Sequence, residues 1–345
     1  MTLNLDIRYK RQELFDLGIE RFKPVRFGDE DILVYDNANL SLMLTDACNA
    51  DCNFCIAHLR YAVDGHTYIK PSLRSFDDYK NTFETYWRNH IAGINPSVSI
   101  TGGEPSIHKN IIPSIDMVSG VSSRKKTITT NGSGLLLNAA EVLNGLINNK
   151  FDYLNISRAH YIDEINNRLM VTPESLISES DLMAIIRQAK AGGIRVRLSC
   201  ALLKEGIHTI NDMKAYADWA IDLGCDNVIF RQLMDFDGSR VTPGRISTYC
   251  KTQQVDLMPL WEDMSKDKAF QLFHQVLGYY YYVELYKYRG IDLVTESADL
   301  RLIDQQLKYF TNKFNRQVAF ELVYHPNGTL GYSWREFEGI LLHGT

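Results

Sequence analysis

Thr45-Asp-Ala-Cys48-Asn-Ala-Asp-Cys52-Asn-Phe-Cys55 decides how this chain is read: three cysteines in a C-x3-C-x2-C array, set just past the apolar run Leu40-Ser-Leu-Met-Leu44. Three thiolates on one loop serve three irons of a cubane cluster and leave the fourth iron without a protein ligand, open to a cofactor or substrate. Structural zinc is the competing use. It needs a fourth ligand, for which His58 stands on the same loop, but zinc spacings run as paired C-x2-C units and no second pair exists among the 6 cysteines. A disulfide framework fits less well still, because so few cysteines in 345 residues are sparse and no secretory signal opens the sequence.

Downstream of the array stands Thr101-Gly-Gly-Glu-Pro105. With Phe54 before the last cysteine, the two motifs together resemble the radical S-adenosylmethionine (SAM) superfamily, over roughly residues 40–234. The resemblance implies a reduced [4Fe–4S] cluster on Cys48, Cys52 and Cys55 whose open iron is chelated by the amino and carboxylate groups of SAM. It implies a reductant such as flavodoxin or ferredoxin, cleavage of SAM to methionine and a 5′-deoxyadenosyl radical, and abstraction of a hydrogen atom from substrate. In the family the turn at Gly102 and Gly103 receives the SAM amino group, with Thr101 and Glu104 beside it. The residues agree: two missing side chains permit unusual backbone angles and close approach to a ligand, and Pro105 stiffens the exit. An ordinary tight turn is the plain alternative.

Composition sets the frame. With 345 residues, 45% apolar and 23% charged, the chain can bury one large core with a smaller appendage. No run approaches the length of a membrane-spanning helix, and a cytoplasmic location is expected, which suits an oxygen-sensitive cluster. The net charge of −5 comes with basic and acidic residues interspersed, which disfavours nucleic acid as a partner.

Three regions follow: an N-terminal arm over 1–39, a barrel over 40–238 and a C-terminal extension over 239–345. The arm mixes a short helix around 11–17 with the extended stretch Asp31-Ile-Leu-Val-Tyr35. It is too short for the winged-helix leader-binding domain with which many peptide-modifying relatives begin, which favours a small-molecule substrate. From Leu40 the pattern strand, loop, helix repeats six times, with strands at 40–45, 98–101, 126–130, 153–157, 194–202 and 227–234. The fold class is therefore α/β, a partial (β/α)6 TIM-like barrel with helices outside and the site at the carboxyl ends of the strands. Six units leave such a barrel open on one side, as is usual in the superfamily.

Each strand end offers candidates. The third ends Thr129-Thr-Asn-Gly132, which resembles the ending common in the molybdenum-cofactor GTP cyclase branch, so Thr130 and Asn131 are candidate SAM contacts; an Asn-Gly turn alone is as good a reading. In the fourth, period-two alternation aims Tyr153, Asn155 and Ser157 at the lumen. Ser157 matches the serine that relatives use near the SAM carboxylate and ribose. Arg158, His160 and Arg168 follow on a long loop, where a bidentate pairing of an arginine with a carboxylate of SAM or substrate is expected and where His160 suits a hydrogen-bonded structural role better than an acid–base one. Arg197 and Ser199 face the lumen from the fifth strand, and Arg231 and Gln232 end the sixth in an apolar setting that demands partners. Asn155, His160, Arg197, Arg231, Gln232 and Tyr324 are the candidate substrate contacts, with Arg158, Arg168 and Ser199 grouped with SAM.

Beyond Gly238 helices are expected over 254–264, 268–288 and 298–314, the second carrying Tyr279-Tyr-Tyr-Tyr282 mostly as packing residues. The stretch 318–334 reads as two strands joined by Pro326-Asn-Gly328. It is similar to the hairpin that opens the auxiliary-cluster extension of the SPASM and twitch subfamilies, but Ser333 stands where a cysteine normally follows, and no cysteine comes after Cys250. The hairpin would instead cap the open side, with Glu321, Tyr324, His325 and Trp334 as contacts. A single cluster favours rearrangement, cyclisation, carbon–carbon bond formation or epimerisation of a small polar metabolite such as a nucleotide, sugar or amino-acid derivative. Some radical SAM epimerases return a hydrogen atom from a thiol, and Cys200, Cys225 and Cys250 are the candidates here; free cysteines are more often plain core residues. Modification of a ribosomal peptide is the alternative within enzymes, and a non-catalytic iron–sulfur sensor or scaffold the alternative outside them.

Overall fold

Parallel β/α units organise the chain, as the alternation of apolar runs and amphipathic stretches dictates. The computed structural model describes Arg8 and residues 15–59, 75–137, 139–172 and 177–344. The strands are β1 (Phe22–Phe27), β2 (Glu30–Tyr35), β3 (Asn39–Met43), β4 (Ser97–Thr101), β5 (Lys126–Thr130), β6 (Tyr153–Ser157), β7 (Arg195–Leu202), β8 (Asn227–Gln232), β9 (Phe270–Leu277), β10 (Tyr281–Tyr288), β11 (Ile291–Ala298), β12 (Val318–Ala319), β13 (Leu322–Tyr324), β14 (Leu330–Gly331) and β15 (Ile340–Leu342). The helices are α1 (Phe76–Tyr86), α2 (Ile111–Ser119), α3 (Ser133–Leu137), α4 (Ala139–Asn148), α5 (Asp163–Met170), α6 (Glu179–Ala191), α7 (Ile210–Leu223), α8 (Arg245–Gln253), α9 (Leu257–Lys266) and α10 (Arg301–Phe314). The helix expected around 11–17 falls largely outside the described residues.

The main sheet has 12 strands in the order β15-β14-β13-β3-β4-β5-β6-β7-β8-β11-β10-β9. Strands β3 to β8 are the six parallel strands of the partial barrel, each carrying an apolar face such as Val196, Leu198, Cys200 and Leu202 of β7 against the helices. Helix boundaries follow local chemistry. Thr209 and Asp212 form a capping box at the start of α7, and Gly224 ends it in the left-handed region.

The C-terminal extension is built into this sheet, where the sequence suggested a cover over it. β13 pairs parallel with β3 and β11 pairs parallel with β8, so each edge of the six-stranded core gains a parallel strand from beyond residue 238. The helix expected over 268–288 is the β9–β10 hairpin instead. Tyr282, Glu284, Tyr286 and Tyr288 are buried on one face of β10 while Tyr281, Val283 and Leu285 point the other way, a period of two carried by aromatic and β-branched residues that prefer strands. The Arg289-Gly290 pair, with φ of 46° and 97°, closes the β10–β11 hairpin in the manner of a type I′ turn. Glu284, on this face, is fully buried. It accepts from Arg8 at 2.7 Å and from Tyr282 and Gln275, so Arg8 is clasped beneath β10.

The lateral opening expected of six units is bridged. The ring of Tyr279, in the β9–β10 turn, stacks on Phe320, just before β13, at 4.5 Å and 8°, and its hydroxyl donates to Glu321 at 2.5 Å. Phe22, Leu33, Phe310 and Val318 complete this aromatic seam. β2 pairs with both β1 and β12 in a separate 3-stranded sheet over it.

Candidate functional site: a cavity beneath the cysteine loop

A cavity of about 400 Å³ at the carboxyl ends of the parallel strands brings the predicted motifs together; Cys48, Cys52, Cys55, Gly102, Gly103 and Glu104 all line it. The loop after β3 lies directly on the turn after β4. The N–H of Gly103 donates to the Thr45 carbonyl at 2.6 Å and that of Glu104 to the Ala47 carbonyl at 2.8 Å. A Cβ on Gly102 would stand 2.4 Å from the Thr45 carbonyl oxygen, and one on Gly103 2.1 Å from that of Ala47. Gly102 also has a φ of +144°. These glycines are therefore required by the chain's own backbone, before any ligand is considered.

Glu104, expected beside SAM, is turned into the protein. Its carboxylate accepts from the Ser106 N–H at 2.9 Å, the Ser106 hydroxyl at 2.5 Å, the Thr130 hydroxyl at 2.5 Å and the Asn131 N–H at 2.5 Å. Burial raises this carboxyl above its ordinary value despite the four donors. It fastens the end of β4 to the end of β5. Thr130 and Asn131 are occupied in the same network: the Asn131 amide donates to Asn49 at 2.9 Å, and Asn49 donates to Ser133 at 3.0 Å, which ties the cysteine loop to the turn after β5.

The lumen-facing phase of β6, β7 and β8 lines the remainder of the cavity. Ser157 is in register with Ser199, and Asn155 with Arg197. Arg231 donates through Nε to Ser199 at 3.3 Å and pairs with Glu296 of β11, a lining residue that sequence patterning missed because its strand was read as part of no barrel. Gln232 lines the cavity and donates to the Val255 carbonyl at 2.8 Å. Arg158 reaches the wall, but its guanidinium is committed to the carbonyls of His160 at 3.0 Å and Ile177 at 2.8 Å and to Asp163. That removes it as a fork for a carboxylate of SAM or substrate.

Other candidates lie elsewhere. Arg168 is exposed on α5, a helix inside what read as a long loop, and does not line the cavity. His160 is buried, stacked on Tyr161 at 4.5 Å, with Nδ1 accepting from the Ile162 N–H at 3.0 Å; burial lowers its pKa. Tyr324 sits in the core against Tyr79, whose carbonyl its hydroxyl meets at 2.7 Å, and Glu321 accepts from Tyr279 and Trp334. Neither touches the cavity. Cys200 is fully buried on the helix side of β7, and Cys225 precedes β8 at the opposite end of the strands. Of the three thiols expected as hydrogen donors only Cys250, on α8, lines the cavity.

The cysteine loop suits a cluster. Burial pushes the Cys52 thiol up to about 12, with the charges of Cys55 and Cys48 adding to the shift, and raises Cys48 and Cys55 as well. A metal takes the thiolate form, so a cluster bound here would displace the protons of all three cysteines. Among the described residues no three His, Cys, Asp or Glu side chains converge on a point fit for a single ion, whereas a cubane takes each thiolate on a separate iron. Arg245 of α8, at 2.9 Å from Asp51 and also bonded to Asn53, holds the loop from outside. Phe54 packs with Leu59, Met170 and Leu233 beneath it. No helix of the described residues is long and apolar enough to cross a membrane.

Comparison with known proteins agrees with this geometry. Among curated proteins, a GTP 3′,8-cyclase of Psychromonas ingrahamii is 31% identical over 192 residues, 53% of this chain and 49% of that protein. Molybdenum cofactor biosynthesis protein 1 of Dictyostelium discoideum is 26% identical over 217 residues, 61% of this chain and 31% of that one. The chain spans about half the length, or less, of these curated relatives. Among solved structures, Streptococcus suis SuiB bound to S-adenosylmethionine superposes with a TM-score of 0.52 at 15% identity, over 88% of this chain and 61% of that one, a likeness of fold. The family model described as the Radical SAM superfamily matches residues 42–220, a span that begins in β3 and takes in both the cysteine array and the Gly-Gly-Glu-Pro turn. The chain belongs to the radical SAM superfamily, whose enzymes work with a [4Fe–4S] cluster and SAM.

Proposed function

We propose that this protein is a radical SAM enzyme acting on a small polar metabolite, in a rearrangement, cyclisation, carbon–carbon bond formation or epimerisation. The observation that carries the reading is the single cavity that joins Cys48, Cys52 and Cys55 to a polar lumen of Ser157, Ser199, Arg197 and Arg231. When bound and reduced, the cluster supplies the electron that splits SAM into methionine and a 5′-deoxyadenosyl radical able to take hydrogen from substrate. The chain's own part is placement. The three cysteines hold the metal, the Gly102 and Gly103 turn lines the cavity beside them, and Glu104 with Asn131 and Asn49 keeps the two loops in fixed relation. Apolar Phe54, Leu59, Leu233 and Cys250 on the adjoining wall exclude water, which protects a carbon radical from side reactions.

A small substrate is supported by the size of the cavity, about 400 Å³, and by the names of the curated relatives, which denote cyclisation of a nucleotide. The test is anaerobic: protein reconstituted with iron and sulfide, reduced in the presence of SAM, should release 5′-deoxyadenosine. With the right substrate deuterated, the label should appear in it. Absence of 5′-deoxyadenosine from fully loaded, reduced protein across substrate candidates would overturn the reading in favour of a non-catalytic iron–sulfur protein.

A further inference from the structure

The cavity wall formed by β6, β7 and β8 holds charge that the described residues leave without an ion-pair partner. Arg197 on β7 donates through Nε to the Asn227 side chain at 2.7 Å, and among the described residues no carboxylate stands within ion-pair distance of it. Its neighbours compound the excess. Arg231 lines the same cavity, and Arg197 also stands 5.5 Å from the Tyr153 ring, which Lys125 and Arg195 flank from outside the cavity at 5.0 and 5.2 Å. The nearby carboxylates are already engaged, Glu296 with Arg231 and Asp292 with Lys287 and Arg195. Burial lowers the Arg197 pKa, and the positive charge of Arg231 lowers it further, so an anion arriving here relieves a cost already present.

A second observation lies one strand away. Asn155, in register with Arg197, lines the cavity and has its Oδ1 buried with no hydrogen-bond partner among the described residues, while its Nδ2 donates to Thr129 at 3.3 Å. Whichever way this amide is turned, one of its two polar atoms is left over. A hydroxyl satisfies either.

We propose that this wall is an oxyanion subsite of the substrate: Arg197, seconded by Arg231, receives a carboxylate or phosphate group, and Asn155 binds a hydroxyl beside it. The inference rests on the proposed function, since it names the substrate class of that same cavity. Position separates the subsite from the SAM end. The cysteine loop and the Gly-Gly turn follow β3 and β4, whereas Arg197 and Arg231 stand on β7 and β8, on the far side of the parallel strand order. The substrate is thereby anchored by its charged end, with its remaining carbons toward the cysteines.

Reconstituted protein saturated with SAM is titrated by calorimetry with acetate and with inorganic phosphate, the two arms separating carboxylate from phosphate. At least one should saturate, and Arg197→Gln should weaken it by roughly tenfold to a hundredfold, the range of a lost charge-assisted hydrogen-bond pair. Arg197→Lys should recover only part of the affinity, because an ammonium lacks the planar fork. Arg195→Gln, at the exposed start of the same strand, should leave it within a factor of about two. Glycolate should bind better than acetate and glycerol phosphate better than phosphate, and Asn155→Ala should abolish that preference. The proposal is overturned if neither anion saturates, if SAM and the anion compete, or if the Arg197 variants bind as wild type; should Arg197→Gln fail to fold, Arg197→Lys and Asn155→Ala decide the matter in its place. Binding and turnover fail separately. Anion binding without 5′-deoxyadenosine refutes the radical reading alone, and 5′-deoxyadenosine without anion binding refutes the subsite alone.

Discussion

Glu104→Ala is the substitution whose effect the structure fixes most tightly. The carboxylate is 1% exposed and is the shared acceptor for two backbone N–H groups and two hydroxyls at the junction of β4 and β5. Without it, the hydroxyls of Thr130 and Ser106, already 2.9 Å apart, can turn toward one another. The N–H groups of Ser106 and Asn131 cannot move. A buried donor stranded without an acceptor costs about 1–3 kcal/mol, so the two together predict a loss of about 2–6 kcal/mol. Glu104→Gln keeps one carbonyl oxygen but opposes an amide donor to one of these N–H groups, and should fall between Ala and wild type. Urea unfolding of the metal-free, reduced protein checks both, read as a shift in midpoint at unchanged slope. A Glu104→Ala protein within about 0.5 kcal/mol of wild type, the range of ordinary surface changes, would refute the fastening role.

Three further outcomes follow from the same packing. Gly103→Ala forces a Cβ against the Ala47 carbonyl at 2.1 Å and should displace the cysteine loop, seen as iron content well below that of wild type after anaerobic reconstitution; full loading would contradict the contact. Arg8→Met strands the Glu284 carboxylate, which is 0% exposed, and should cost about 3–5 kcal/mol in urea unfolding, with a smaller loss in the Arg8→Met/Glu284→Gln double variant. Burial, and secondarily the charge of Asp46, raises the Glu336 carboxyl to about 7 from 4.5. The folded state therefore favours its protonated form, so this stabilisation is complete below the ordinary value and lost as pH rises through about 7; Glu336→Gln should flatten that part of the stability profile between about pH 5 and 8, and an unchanged slope would count against it.

The barrel was legible because β3 to β8 are short runs of apolar and β-branched residues bounded by turn residues, and strands with one face on the helices and the other on a polar lumen alternate as β6 and β7 do. The cysteine array and the Gly-Gly-Glu-Pro turn were legible as spacing. What they did for each other was not: that Gly103 is small because Ala47 crosses it, and that Glu104 points away from the cavity mouth into Thr130 and Asn131, depend on how two loops stack. Arg158 misled for a related reason, since the Ile177 carbonyl that occupies its guanidinium comes from the segment before α6. The β9–β10 hairpin was misread because the run Tyr279-Tyr-Tyr-Tyr282 hides the alternation that follows it, and the buried Glu284 is tolerable in a strand through donors from Arg8, Gln275, Tyr282 and Tyr286 that meet only once the hairpin has formed. Glu296 escaped notice with it, because a lining role requires knowing that β11 joins β8.

The proposed function depends on Cys48, Cys52 and Cys55 holding a cluster with one iron free of protein ligand, and on SAM taking that iron. Mössbauer spectroscopy of protein reconstituted with ⁵⁷Fe and sulfide, recorded with and without SAM, reads out both. The expected result is a cubane spectrum in which a single iron site changes its parameters when SAM is added, and loss of the cluster when any one of the three cysteines is replaced by alanine. A spectrum indifferent to SAM, or a cluster that survives Cys52→Ala unchanged, would contradict it.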